Sequence, residues 1–79
     1  MKIQLENTTK IVTRIVDGHE VPARVWEGAT EGGIPCYAFI TRIACKNGLD
    51  TDASEFERDL KEQRPPSAEM LAFPARMIL

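Results

Sequence analysis

The pattern of apolar and polar positions changes period once along the chain. Residues 10–16, KIVTRIV, are β-branched and apolar with basic residues interspersed, which predicts a strand. Asp17-Gly18 follows, a strong short-range hairpin signal. From Val21, the run VPARVWE alternates Val21, Ala23 and Val25 against Pro22, Arg24 and Trp26, the two-residue period of a half-buried strand over 21–27. A two-residue Asp17-Gly18 loop places Ile11 and Ile15 on the face opposite Val21, Ala23 and Val25. A three-residue loop with Gly18 left-handed collects all five on one face and is therefore expected. Pro22 cannot donate to a ladder, so its end of the strand belongs at an edge or a bulge.

GATEGG is the second turn, and a long third strand is predicted over 35–45. Tyr37, Phe39, Thr41 and Ile43 share one face, expected toward the core, and Cys36, Ala38, Ile40 and Arg42 share the other. After KNGLDT the period becomes helical. Ala53, Phe56 and Leu60 form an apolar stripe, Asp52 and Glu55 have the spacing of a capping box, and Glu57 with Lys61 and Arg58 with Glu62 are i,i+4 pairs. These predict a helix over 52–64, stopped by Pro65 and Pro66. Ser67 is placed to cap one further helical turn to Leu71, and PARMIL predicts a C-terminal strand over 75–79. The expected architecture is small α+β: a three-stranded antiparallel β-meander, one helix packed on one face and a returning C-terminal strand.

Composition narrows the functional classes. With 79 residues, 43% of them apolar and 28% charged, the chain is expected to form a single globular domain, residues 1–79. No apolar run reaches the ~20 residues of a membrane span and Met1 to Lys10 has no apolar leader core, so a cytoplasmic location is expected and no membrane partner. The net charge is −2, split between a first part (1–49) with six Lys/Arg against five Asp/Glu and a second (50–79) with four against seven. Cys36 and Cys45, nine positions apart in one predicted strand, are too distant for a disulfide and are expected to be free thiols. A single histidine, His19, with two separated cysteines gives no metal-ligand spacing, and no cofactor motif is present.

With these faces, Lys10, Arg14, Arg24, Trp26 and Arg42 fall together on the side of the sheet away from the core. Cations beside an indole can stack on a base or hold phosphate, as in single-stranded nucleic-acid binders. They can equally close over the ring through their aliphatic stems. The acidic helix, with Glu55, Glu57 and Asp59, is a second candidate surface, either solvated or imitating nucleic-acid phosphates. Glu27 with Glu31 and Asp50 with Asp52 are carboxylate pairs in turn or cap positions, with no pocket implied, and no nucleophile stands beside a base.

The core W-E-G-x-T-x-x-G-I from Trp26 to Ile34, followed by F-I-T-R at 39–42 and later FERDL, PPSAEM and PARMIL, resembles small phage- and prophage-encoded proteins of unassigned activity. The resemblance implies a setting in which small proteins bind and modify host machinery, and supplies no site residue. The expected function is a non-enzymatic binding module acting by protein–protein contact through Arg14, Arg24, Trp26 and Arg42, with a homodimer expected through a sheet edge or the C-terminal strand. The alternatives are a single-stranded nucleic-acid binder using the same face and an anti-defence protein with an acidic, nucleic-acid-mimicking helix.

Overall fold

In the computed structural model, which describes residues 1–46, 53–74 and 77, the chain opens with a long hairpin. β1 (Ile3–Val16) and β2 (His19–Thr30) pair antiparallel from Ile3 opposite Thr30 to Val16 opposite His19. β3 (Pro35–Ile40) adds antiparallel on the far side of β2, so β2 is the central strand. Two short helices follow, α1 (Ala53–Lys61) and α2 (Ala68–Leu71). The class is α+β with a three-stranded antiparallel meander, as the sequence predicts.

The hairpin turn overturns the expected loop length. Val16 pairs with His19, so the loop is Asp17-Gly18 alone, and both residues have positive φ, 51° and 79°. That is the turn whose twist matches two right-twisted strands. Val12, Arg14 and Val16 therefore share the face of Val21, Ala23 and Val25, while Ile11 and Ile15 lie opposite, 44% and 66% exposed. Residues 15–20 at the tip are all exposed, so burial does not select a register there and turn chemistry does. Gly18→Ala is expected to cost about 1 kcal/mol, read as a lower melting temperature, because an L side chain is strained at this φ. An unchanged melt contradicts the turn assignment.

The strand limits also move. β1 and β2 extend beyond the predicted 10–16 and 21–27, and β3 ends at Ile40 rather than 45. The β2–β3 ladder stops at Arg24 opposite Ile40, two residues short of Pro22, which has no N–H to extend it. In β1 the register shifts between Asn7 and Ile11, where three residues stand against Val25 alone. Thr8, fully buried, secures the irregularity: its Oγ1 donates to Val25 O at 2.6 Å and accepts from Lys10 N at 3.3 Å.

The predicted helix over 52–64 is shorter. α1 ends at Lys61, and its ion pair is Arg58 with Glu55 at 3.7 Å, an i,i+3 contact in place of the expected i,i+4 pairs. Residues beyond it run along the outer edge of β1, where Arg64 N donates to Asn7 O at 3.3 Å and Thr9 N to Arg64 O at 3.0 Å. Pro65 excludes Arg64 from helical backbone, which frees it for that bridge. α2 is capped as the sequence predicts: Ser67 Oγ accepts from Met70 N at 3.1 Å. The Asp52 cap lies outside the described residues. So does most of the predicted strand over 75–79, of which Met77 alone is described, with its N–H turned back to Pro74 O. No helix among the described residues is long and apolar enough to cross a membrane.

The first face of the sheet carries Val12, Arg14, Val21, Ala23, Val25, Glu27, Tyr37 and Phe39. Residues 64–73 lie against it: Arg64 and Ser67 reach Glu27, and Phe73 meets Tyr37 edge-on at 5.1 Å. Among the described residues the buried apolar side chains are Ala23, Val25 and Met70. The second face carries Asn7, Ile11, Arg24, Trp26, Ala38 and Ile40.

Candidate functional site

Arg24 and Trp26 reach the second face because β2 alternates, and Trp26 stands opposite Asn7 on β1 and Ala38 on β3. Arg24 is held there: its Nη1 donates to Thr8 O at 2.9 Å, inside the β1 irregularity. α1 is joined to the same side by Asn7 Nδ2 donating to Leu60 O at 2.7 Å. Sheet and helix bound a cleft of about 360 Å³ whose apolar lining is Trp26, Ile40, Ile43 and Leu60. Arg24, Arg42 and Lys61 line it against one acid, Glu57. In a chain of net charge −2 this is a local excess of positive charge beside an indole. Asn7 is 7% exposed, and its Oδ1 has no hydrogen-bond partner among the described residues.

The structure thus brings Arg24, Trp26 and Arg42 together but not Arg14. The two-residue turn puts Arg14 opposite Val21 on the first face, where it lines a different cleft with Tyr37, Phe39, Phe73 and Met77. Lys10, in the irregular stretch of β1, is exposed and lines neither cleft. The acidic positions of α1 are exposed: Glu55 pairs with Arg58, Glu57 lines the Trp26 cleft, and Asp59 lines a depression with Glu6, Glu62 and Arg64.

A second polar centre lies outside the sequence-based candidates. Glu27, 7% exposed, projects from β2 onto the first face and accepts from Arg64 Nη1 at 2.8 Å and from Ser67 N and Oγ at 2.9 Å each. Arg64 also donates from Nε to Glu6 Oε2 at 2.9 Å. Burial pushes the Glu27 carboxyl up, but the hydrogen bonds from Arg64 and Ser67, with the attraction of the guanidinium, outweigh it and hold the carboxyl below its ordinary value. Glu27 and Glu6 in turn hold Arg64 above its own. This is a clasp fastening residues 64–70 to the sheet. One signal in the sequence points to it: Glu27 continues the Val21, Ala23, Val25 series, and a charge on a core face requires a partner.

Among the described residues no three His, Cys, Asp or Glu side chains gather as a metal site, and Cys36 and Cys45 are free and half-buried. Comparison with family models, curated proteins and solved structures finds no match to this chain.

Proposed function

We propose that the protein is a non-enzymatic binding module that acts by protein–protein contact, with the Trp26 cleft as its contact surface. One observation carries this reading: Arg24, Arg42 and Lys61 line the same cleft as Trp26, Ile40, Ile43 and Leu60. A cleft of that kind suits an acidic segment that brings an apolar side chain, since the cations set orientation and the apolar lining supplies burial. Tryptophan and arginine are also the side chains that most often dominate binding energy at protein interfaces. The contact set is Arg24, Trp26 and Arg42, with Lys61 added and Arg14 removed. A phage-borne setting, with host machinery as the partner, belongs to the same proposal and rests on sequence resemblance alone. A cytoplasmic location, which rests on the absence of a long apolar run in the sequence, and the packing of α1 across the second face are parts of the same proposal.

The cation excess at the cleft also favours a second reading, a single-stranded nucleic-acid binder with Trp26 as a stacking platform. Salt separates the two. Titrating Trp26 fluorescence with an acidic peptide containing leucine, and with a mixed single-stranded oligonucleotide, is expected to show peptide binding that weakens only modestly between low and moderate salt. Trp26→Ala is expected to abolish that binding while costing about 1 kcal/mol of stability, because the ring is half-buried. Oligonucleotide binding that collapses steeply with salt moves the second reading to first place. Silence with both probes removes the cleft from either role.

A further inference from the structure

The cations of the Trp26 cleft carry no ion pair. Among the described residues the pairs are Arg58 with Glu55 and Arg64 with Glu6 and Glu27, so Arg24, Arg42 and Lys61 have no acidic partner. Arg42 and Lys61 are exposed, and an unpaired cation in water is ordinary. Arg24 is different. It is half-buried, and its Nη1 is bound to Thr8 O at 2.9 Å, which restrains the guanidinium and leaves its Nε and Nη2 without an acceptor among the described residues. A planar fork held in advance suits the two oxygens of one carboxylate, because little side-chain freedom is then lost on binding.

The apolar lining begins beside that fork. Ile40 stands opposite Arg24 on β3, and Trp26 lies two positions along the same face of β2, roughly 7 Å away at the rise of a strand. Leu60 belongs to the other wall, which is tied to the sheet where Asn7 Nδ2 donates to its carbonyl at 2.7 Å. A ligand that engages both kinds of surface must carry a carboxylate and an apolar group close together. The last residue of a polypeptide bears both on one Cα. The cleft, about 360 Å³, is also at the small end of ligand pockets, and the end of a chain needs only one way out of it. A chain passing through needs two, and brings more peptide groups that must find partners.

We propose that the cleft receives the C-terminal residue of a partner protein, with its free carboxylate on the open edge of Arg24 and its apolar side chain among Trp26, Ile40 and Leu60. Arg42 and Lys61 line the same cleft and add attraction for the same charge. The inference rests on the peptide-binding reading of this cleft and narrows it to one kind of segment.

The test titrates Trp26 fluorescence of the full chain with acetyl-Gly-Ser-Ala-Ala-Leu bearing a free carboxylate, with the same peptide amidated, and with amidated acetyl-Gly-Ser-Asp-Ala-Leu, whose negative charge sits on a side chain. The free acid is expected to bind roughly tenfold or more tightly than either amide, since what the amides lose is a charge-assisted pair. Arg24→Lys, which keeps the charge and loses the fork, is expected to weaken the free acid by roughly tenfold and to leave its amide unchanged. A purely structural role for Arg24 shifts both peptides equally. Equal binding of the free acid and its amide by the wild type overturns the proposal. So does an aspartate peptide that binds as tightly as the free acid, an outcome that keeps the cleft as a surface for internal acidic segments. Silence with all of the peptides overturns the proposal together with the peptide-binding reading on which it rests. The wild-type comparison decides the question even where the lysine variant does not fold.

Discussion

Glu27→Ala is expected to destabilise the protein by about 2 kcal/mol, discounted from the value for a fully buried pair because the Arg64 side chain is 39% exposed and can rehydrate. The substitution strips Ser67 N–H and Oγ of their acceptor as well. For a domain of this size the loss corresponds to roughly 10 °C in melting temperature. Residues 64–73 should open before the strands do, so limited proteolysis is expected to cut near Pro66 in the variant while the wild type resists. A melt within about 1 °C of wild type shows that the clasp contributes nothing net.

The same carboxyl sets an acid limit. Its pKa in the folded protein lies below the unfolded value near 4.3, so its stabilisation is fully present above that value and is lost as pH falls through the folded pKa. Glu6, Arg64 and Tyr37 face it from the neighbouring elements, and of these the guanidinium stays charged throughout. Wild-type stability is expected to fall on acidification below about pH 4, and Glu27→Gln, which cannot titrate, to show a shallower fall. Identical slopes for the two proteins place the acid sensitivity elsewhere.

Gly28→Ala is expected to cost about 3 kcal/mol, at the upper end of overpacking penalties. A Cβ at Gly28 runs into the carbonyl oxygen of Gln4 and approaches Leu5 Cα, and all of these are backbone atoms. No rotamer change relieves that contact, so β1 and β2 must part along Ile3–Asn7 or shift register. Gly32→Ala is the matched control: the nearest atom is Thr30 Oγ1 at 3.9 Å, and stability is expected to stay within about 0.5 kcal/mol of wild type. Chemical denaturation of both variants checks the pair, and equal midpoints contradict the close approach of β1 to Gly28.

The sequence by itself determined whatever a few adjacent residues decide. Asp17-Gly18 marks the hairpin because both residues accept positive φ, and Val21, Ala23 and Val25 mark the covered face of β2 by alternation. Ser67 marks the start of α2 because its hydroxyl reaches an amide three residues on, and Pro65 with Pro66 ends the preceding helix within a few residues. Tertiary structure decided what depends on distant partners. Arg14 leaves the candidate site because a loop shorter by one residue turns the whole outer part of β1 over. The irregularity at Thr8 is fixed by a bond to Val25, 17 positions away, so the polar run Asn7-Thr8-Thr9 gives no local sign of a strand that continues through it. Glu27 continues the covered series of Val21, Ala23 and Val25 by alternation, which signals a partner without naming it. Its partners, Arg64 and Ser67, lie 37 and 40 positions on, and only the folded chain brings a cation and two further donors to that carboxylate. Local propensity is set by neighbours in sequence, whereas the partner of a buried charge is set by which segments pack together.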